Sequence, residues 1–540
     1  MLDTGEQIVG RFDELKANRG SFEDTWQQIA NNILGLRDFT TSRNPGEQRM
    51  RRIYDTTGLI AGTRLAAALH GMMLNPSNKW FFLKIEPEEL SENDDVFVWL
   101  ENATKALRYV FTEGRFGFAN AAAEWLLDQV YFGTGDLFVD DVPGSGPQFY
   151  SRPLGEVYID ESWMGKPDTF FRHYKMSARR VVQQFGDVDE HITRLAEKEP
   201  NRDVKLVHLI HPRSESKANE KDNKPWRSVY VLYEKKKIVS LGGYYTQPHM
   251  VARWSKENHE LYGRSPAWQA LSDCKMLNEM SKTLLKTAQK AADPPLLVPD
   301  DGVLSMVSTS PGSLNVYRAH TFKEDPIRPF PVAGNSIISE KMLEQRQSMV
   351  RAAFFADAIA LPNQSGMTAT QVIELEDKMA RSMVSMLGRL QHEGIDPLLV
   401  RTLDVLERGR FILPRPPTMK GARVRIEYIS PAARAQKQSE ARAIMGAWAS
   451  VATLGEVAIE AIDNLDPDET VRLLAESQGV PPGILRSVQD RETIREERAQ
   501  AQQQMQQLQQ AQQVAGVAQQ LGGAEKALAE AASLGTDGQG

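Results

Sequence analysis

A long stretch without internal glycine or proline, near the middle of the chain, restricts the possible folds most strongly. It begins at Ser265 and Pro266, which have the order of an N-cap and a first helical residue, and it ends at Asp293. A helix over residues 262–292 would be roughly 40 Å long. This pattern is not typical of an enzyme active site.

The two sides of this helix differ in chemistry. At 100° per residue, the apolar side carries Leu277, Met280, Leu284 and Ala288. The opposite side carries Lys275, Glu279, Lys282, Lys286 and Lys290. One side is therefore expected to pack. The lysine side contacts either solvent or a polyanion. In solvent, Glu279 would form ion pairs with neighbouring lysines.

A second helix is expected at 336–356, where Ile338, Met342 and Met349 form a narrow apolar stripe. Irregular, proline-rich residues connect it to the first helix. The sequence therefore predicts an antiparallel helical hairpin with a separate knob at its tip.

A third helix follows a short loop. Thr368 and Gln371 have capping-box spacing at its start. Gly394 is expected to break or kink it, and Asp396 with Pro397 forms a second N-cap and first-residue pair that restarts it.

The rest of the chain mixes helices and strands. Helices are expected at 3–34, 55–74, 93–112 and 117–132, a strand at 79–85, and a mainly β region at 136–255 that two helices interrupt. A strand at 422–430 returns to the β region, and helices follow from about 432, one of them starting at Asp466-Pro467. Residues from 500 onward are rich in glutamine. The fold class is α+β, mainly α.

Composition excludes several classes of protein. The net charge of -7 argues against a generally basic nucleic-acid-binding surface. The single cysteine, Cys274, excludes an intramolecular disulfide framework and fits a buried helical position. The N-terminal residues are not typical of a signal peptide, and no apolar run is long enough for a membrane span.

The common catalytic motifs are missing from the sequence. It has no P-loop, no GxGxxG after a strand, no HExxH and no GxSxG. His208 and His211 are three residues apart on a strand and therefore point to opposite faces. The acidic pairs Asp140-Asp141 and Asp300-Asp301 fit turns and strand ends. Neither a cofactor nor a metal is expected.

The order of these segments, with the phrases YGRSPAWQAL, KMLNEMSKTLLKTAQKAADPPLLVP and GMTATQV, resembles the portal proteins, or head-to-tail connectors, of short-tailed bacteriophages. The resemblance extends from near residue 1 to about 480. It implies a homo-oligomeric ring, usually of twelve subunits, at one capsid vertex of the virion, assembled in the host cytoplasm. Double-stranded DNA would be packaged through the ring and later ejected.

The resemblance also implies partners and regions. The partners would be the terminase large subunit, tail adaptor proteins, and the major capsid and scaffolding proteins, without a membrane. The regions would be a wing (1–261 and 368–432), stem helices (262–292 and 336–356), a clip (293–335), a tunnel loop (357–367) and crown helices (433–498). The Gln-rich end (499–540) departs from shorter family members.

Three sets of functional residues follow from this assignment. The stem lysines Lys275, Lys282, Lys286 and Lys290 would line the DNA channel. The tunnel loop would present Leu361, Pro362, Asn363, Gln364, Ser365 and Gly366. The docking surface of the clip would include Pro294, Pro295, Asp300, Asp301, Pro311, Arg318, Lys323 and Arg328.

The main alternative is another non-enzymatic assembly protein of the virion, such as a capsid or scaffolding subunit. An oligomeric enzyme ranks third. An electron micrograph of the purified protein distinguishes them, because only a portal would form a wide ring with a central hole.

Overall fold

The computed structural model describes residues 2–40, 53–74, 79–87, 93–186, 189–213, 224–300, 307–318, 327–329, 336–356, 384–428, 443–449, 466–477 and 491–505. The chain divides into two compact units, Met1–Gln436 and Lys437–Gly540. The first unit mixes helices and strands, which agrees with the expected fold class. None of the helices in the described ranges combines the length and apolar composition that a membrane span needs.

Five helices form the N-terminal part of the first unit. They are α1 (Gly5–Asn18), α2 (Gly20–Ile29), α3 (Thr57–Met73), α4 (Asp94–Thr112) and α5 (Phe118–Phe132), and a π-helical turn, Ala30–Leu34, extends α2. A capping box starts α1, because Thr4 Oγ1 accepts from Gln7 N and Gln7 Oε1 accepts from Thr4 N. The helices expected from the sequence in this part of the chain are confirmed.

The expected β region contains two antiparallel sheets. Its strands are β2 (Thr134–Val142), β3 (Gly146–Arg152), β4 (Val157–Glu161), β5 (Pro167–Ser177), β6 (Asp203–Pro212), β7 (Trp226–Leu232), β8 (Lys237–Tyr244) and β9 (His249–Arg253). One sheet has the order β3-β2-β9, and the other has the order β4-β5-β6-β7-β8. The two expected interrupting helices, α6 (Ala178–Phe185) and α7 (Glu190–Lys198), lie between β5 and β6.

Helices cover both faces of the five-stranded sheet. Phe12 of α1 packs in one apolar cluster with Val207 of β6. The next residue, Leu206, points to the opposite face and packs with Val181 of α6 and Ile192 of α7. This alternation follows from the two-residue period of a strand.

The expected helical hairpin consists of α8 (Pro266–Ala292) and α9 (Ser336–Ala353). Ser265 is the N-cap of α8, since its Oγ accepts a hydrogen bond from Trp268 N at 2.9 Å. Pro266 occupies the first turn, where a backbone N–H has no intrahelical partner, so its missing N–H costs no hydrogen bond. The predicted start and end of this helix are confirmed.

The described residues between α8 and α9 include three strands, which the prolines of this segment did not lead us to expect. Strands β10 (Leu296–Asp300), β11 (Leu314–Arg318) and β12 (Arg328–Pro329) form a small sheet with β10 in the centre. Within the described residues, β10 pairs with β12 at Leu296 and Leu297. Pro299 therefore lies beyond that pairing, where a missing N–H is tolerated.

The expected break near Gly394 is a π-helical turn. It spans Gln391–Ile395 and joins α10 (Val384–Leu390) to α11 (Asp396–Arg408) without an interruption of the helical backbone. The expected N-cap role of Asp396 is wrong, because its carboxylate accepts from Tyr428 Oη and interacts with His392 Nδ1 instead. A side chain at Gly394 would approach the ring of Trp125 to 2.6 Å, so only glycine fits this contact.

The strand expected at 422–430 is present as β13 (Arg423–Tyr428). It does not join the sheets of the 134–253 region. It pairs antiparallel with β1 (Phe81–Glu86), and Phe81 lies opposite Tyr428. The ion pair between the half-buried side chains of Lys84 and Glu427, at 2.8 Å, joins the two strands.

The second unit is helical in its described residues, which are 443–449, α12 (Pro467–Ser477) and 491–505. Asp466 caps α12, as expected, since its Oδ1 accepts from Asp468 N at 2.8 Å. Asp468 then binds both terminal nitrogens of Arg495 at 2.7 Å. The start of the Gln-rich segment is therefore helical as far as Met505, and the residues after it lie outside the described part.

Candidate functional surfaces

The N-terminal half of α8 is anchored in the main core. Ala267, Ala270 and Leu277 are buried there. Cys274 is also buried and approaches α3 closely, because a side chain at Gly58 would lie 3.0 Å from its Sγ. Burial raises the pKa of the Cys274 thiol to about 12, so this cysteine is a packing residue.

Asn278 fixes the point at which α8 leaves the core. Its Oδ1 accepts hydrogen bonds from Tyr54 N at 3.0 Å and Asp55 N at 3.1 Å. Its Nδ2 donates to Asn32 O at 3.0 Å. One buried amide thus ties α8 to two separate N-terminal segments. The sequence gives no signal for this role, since asparagine interrupts the apolar pattern.

α9 packs against α8 through a face that the sequence did not indicate. Val350 is buried in the main core, and Arg346 Nη1 donates to Asp273 Oδ1 of α8 at 2.7 Å. The expected apolar stripe of α9 does not pack within the chain in its described members, because Met342 is 48% exposed and Met349 is 44% exposed. The side chain of Ile338 lies outside the described part of the structure.

Beyond Asn278, α8 has no buried residue. Leu285 is 48% exposed, and Met276, just before this point, is 44% exposed. These residues are nine positions apart, which is about two and a half helical turns, so they lie on opposite sides of the helix. We call Met276, Leu285, Met342 and Met349 the exposed apolar residues of the hairpin. Apolar exposure of this kind is typical of an interaction surface.

The predicted lysine stripe divides into two parts. Lys275 Nζ donates to Gln28 Oε1 of α2. Lys282 pairs with Glu279 at 3.3 Å and lies 6.0 Å from the ring centre of Tyr54. For Lys286 and Lys290, further along α8, no carboxylate partner lies within the described residues.

The predicted clip residues are only partly described. Pro295 is buried, Pro294 is half-buried and Pro311 is exposed. Asp300 and Arg318 are opposite each other in the β10–β11 pairing, and Arg328 is opposite Leu297 in the β10–β12 pairing. Asp301 and Lys323 lie outside the described residues.

The turn before β11 is held against the end of α8. Gly312, at a φ of +68°, donates its N–H to Asp293 O at 3.1 Å. A side chain at this glycine would approach the Asp293 carboxylate to 2.6 Å. Asn315 is buried and its Nδ2 donates to Ser308 O at 2.8 Å. The described turn before β11 is therefore fixed to the end of the hairpin helix α8.

The predicted tunnel loop, residues 357–367 with Leu361 to Gly366, lies outside the described residues, as does the expected helix start at Thr368. Phe354, three residues before the loop, is buried in the main core. The chain is described again from Val384 of α10.

Arg253 forms a buried network that sequence reasoning missed. Its Nε and Nη2 donate to Glu393 of the π-helical turn at 3.0 and 2.7 Å. It also contacts Glu161, to which Lys256 Nζ donates at 2.6 Å. Burial lowers the pKa of Arg253, but the bonds to Glu393 and Glu161 outweigh this effect and raise it. A lone arginine at the end of a strand gives no warning of such a network.

His208 and His211 do not form a metal site. His208 Nε2 lies 2.8 Å from Ser228 Oγ, and its ring stacks on Tyr230. His211 Nδ1 lies 3.0 Å from Pro212 O. Burial lowers the pKa of both imidazoles. No cluster of metal-binding side chains occurs in the described part of the chain.

A buried carboxylate lies beside a cavity of about 240 Å³ between α5 and the β3–β4 turn. Asp128 is buried and pairs with Arg37 at 3.0 Å. Burial raises the pKa of Asp128 to about 7, with Glu124 adding to the shift and Arg37 opposing it. The ion pair therefore does not compensate for the loss of water around this carboxylate.

We predict that Asp128 makes the fold less stable as pH rises from 5 to 8. The folded pKa of about 7 exceeds the value of about 3.9 for an unfolded aspartate, so the folded chain holds an extra proton between these limits. The stability that the raised pKa of Asp128 contributes is fully present below about pH 4 and is lost as pH rises through 7. In the parent chain this effect should lower the free energy of unfolding by about 2–3 kcal/mol between pH 5 and 7. Asp128→Asn should abolish that pH-dependent loss.

Denaturant unfolding at several pH values measures this difference. The matched control is Asp95→Asn, a change at an exposed aspartate near the start of α4. An Asp128→Asn variant with the same pH dependence as the parent chain would contradict the prediction.

Comparison with known proteins places the chain in a family. Residues 5–485 match the family described as bacteriophage head to tail connecting protein. The portal protein of Salmonella phage epsilon15 is 27% identical over 509 residues, which are 92% of this chain and 91% of that protein. The probable portal protein of Bordetella phage BPP-1 is 26% identical over 532 residues, which are 95% of each chain.

Solved structures with some likeness come from gene transfer agent particles. A chain of the native virion matches with a TM-score of 0.35 and 12% identity, covering 84% of this chain and 93% of that one. A chain of the native particle neck, computed with C12 symmetry, matches with the same score and identity, covering 83% and 98%.

Proposed function

We propose, since this chain belongs to the bacteriophage head to tail connecting protein family, that it is the portal protein of a phage. It would form a ring-shaped DNA channel at one capsid vertex, through which the genome is packaged and later ejected. It would act as a structural component of the virion and not as an enzyme. The family match over residues 5–485 and the two portal relatives support this role.

The main support for the ring proposal is that the hairpin exposes apolar side chains on two opposite sides. A helix that only completes its own core needs one apolar side. Here Met276 and Leu285 lie exposed on opposite sides of α8. A subunit that lies between two neighbours in a closed ring needs such a surface on each side, because the ring interface joins two different patches. The subunit number of twelve rests on the family resemblance.

Within this ring we propose that α8 and α9 form the stem and that residues 293–335 form the clip. The compact sheet of β10, β11 and β12 supports a docking role for the terminase large subunit and later for tail adaptor proteins. Exposed apolar residues on this insert, Val307, Leu314 and Ile327, are available for such contacts. The wing and crown would contact the capsid and scaffolding proteins.

We propose that the channel is lined by the tunnel loop at 357–367 and by the lysine side of α8. Lys286 and Lys290 are the stronger candidates, because Lys275 and Lys282 already interact with their own subunit. Each phosphate that a lysine neutralises adds affinity, and this contact has to break when the duplex moves. A protein with a net charge of -7 and only a few lysines along the channel therefore suits a duplex that must slide.

Electron microscopy of the purified chain tests the proposal directly. We expect wide rings with a central hole, without added nucleotide or metal. Shells or rods would favour a capsid or scaffolding subunit, and a compact globule would contradict both.

We predict that replacing Lys275, Lys282, Lys286 and Lys290 together with glutamine changes the ion selectivity of the ring channel. Removal of these charges lowers the positive potential along the wall, so cations should carry a larger share of the current. Ring stability should change by less than about 1 kcal/mol per subunit, because exposed ion pairs contribute little.

Conductance through single rings in a lipid bilayer measures this change. The double variant of Lys286 and Lys290 should account for most of it, and the double variant of Lys275 and Lys282 is the matched control. Unchanged selectivity in the quadruple variant would mean that the lysines face outward.

A further inference from the structure

We propose that the turn Ser162–Gly165 between β4 and β5 is a docking surface for another protein of the phage particle. It would insert Trp163 and Met164 into an apolar pocket of that partner. Trp163 is 89% exposed and Met164 is 63% exposed. Tryptophan is enriched among residues that dominate binding energy, and its exposure to water in an unbound chain is unfavourable. This inference rests on the proposed ring.

The turn is rigid before any partner binds. Gly165 N donates to Ser162 O at 2.9 Å, and Ser162 N donates to Lys166 O at 2.9 Å. Gly165 has a φ of +73°, a conformation that favours glycine. A turn that is already ordered loses little conformational entropy when it binds.

The buried Arg253 network holds the base of this turn. Arg253 Nη2 donates to Gly165 O at 3.1 Å, and its Nη1 contacts Glu161, the residue before the turn. The same guanidinium binds Glu393 in the π-helical turn. A partner that binds Trp163 is therefore connected through one side chain to the long helix formed by α10 and α11.

A second copy of this chain is not the expected occupant. Beside the turn lies an open groove of about 680 Å³, whose lining includes Lys166, Trp226, Tyr245 and Val400. Lys166 directly follows the turn and also lines the groove, so the protrusion and the groove share one face. In a ring, neighbours meet through two different faces, and a protrusion and a groove on the same face cannot fill each other.

The charge of this face indicates the chemistry of the partner. Lys166 is exposed, and it has no ion pair within the described residues. The acidic residue of the groove, Asp396, is already engaged by Tyr428 and His392. A complementary surface would therefore be an apolar pocket with carboxylates at its rim.

Hydroxyl-radical footprinting of isolated rings and of complete phage heads tests this assignment. We expect Trp163 and Met164 to oxidise at least about fivefold more slowly in heads than in isolated rings. Equal rates in both samples would overturn the proposal. Protection already in isolated rings would also overturn it, since the contact would then lie between copies. A sample without rings would instead contradict the proposed function.

A pair of variants provides a second measurement. Trp163→Ala should reduce the fraction of heads that contain a ring by about tenfold or more, because a tryptophan of this kind often dominates an interface. Ring formation by the purified variant should remain normal. The control, Leu413→Ala, changes another exposed apolar residue and should have no effect. Normal ring content in Trp163→Ala heads, or failure of the purified variant to form rings, would overturn the proposal.

Discussion

A purified chain carrying Leu285→Asp is expected to remain monomeric at micromolar concentrations at which the parent chain forms rings. The substitution removes a leucine contact, which contributes about 1.5–3 kcal/mol when fully buried, and places a carboxylate in an apolar interface. Each subunit contact should weaken by roughly 10- to 100-fold or more. A closed ring requires every contact, so assembly should be lost. Analytical ultracentrifugation measures the outcome.

Mixing two variants gives a sharper result. Met276→Asp should block the opposite side of α8, so each variant retains one intact side. An equimolar mixture should then form dimers of one copy of each variant, and neither variant should form them alone. Dimers in the mixture without larger species would identify the two sides as the two halves of one ring contact.

The control for these variants is Lys286→Asp, which places the same carboxylate one residue after Leu285 on the lysine side. It should form normal rings. Because all three positions lie outside the core, thermal unfolding of each monomer should be nearly unchanged. Rings from both Leu285→Asp and Met276→Asp would contradict the stem assignment.

Arg253→Ala is expected to lower the free energy of unfolding by about 3–5 kcal/mol. The change leaves Glu393 and Glu161 partly buried without their shared cation, and the loss of one member of a buried ion pair has this magnitude. The measurement is denaturant unfolding in the monomeric Leu285→Asp background, so that ring formation does not add to the apparent stability.

Two further variants isolate the cause of this loss. Arg194→Ala removes an exposed ion pair with Glu190 and should cost less than about 1 kcal/mol. Arg253→Met keeps much of the aliphatic volume, so a similar loss in both Arg253 variants would attribute the effect to charge. A loss below about 1 kcal/mol in Arg253→Ala would contradict the role of the network.

Local signals in the sequence predicted the helices well. The Ser265-Pro266 start of α8 and the Asp466-Pro467 start of α12 are encoded by adjacent residues, and the structure contains both. These two caps depend on hydrogen bonds within one turn, so no distant partner is needed to form them.

Features that depend on distant residues were missed or assigned wrongly. The sequence did not indicate the face of α9 that packs within the chain, where Arg346 and Gln347 bind Asp273 and Asp55 while Met342 and Met349 stay exposed. The cap assigned to Asp396 failed because its partner, Tyr428, is distant in the sequence. The small sheet of the insert was hidden by prolines that its short strands tolerate. The Arg253 network needed three segments to be brought together.

The pairing of β1 with β13 determines when the first unit can be completed. About 350 residues separate Phe81 from its partner Tyr428. At synthesis rates of roughly 5–20 residues per second, β1 waits on the order of 20–70 s for the strand that covers its edge. During this interval an aromatic strand is open to pairing with other nascent chains. The time of translation therefore sets the earliest moment at which a subunit can enter a ring.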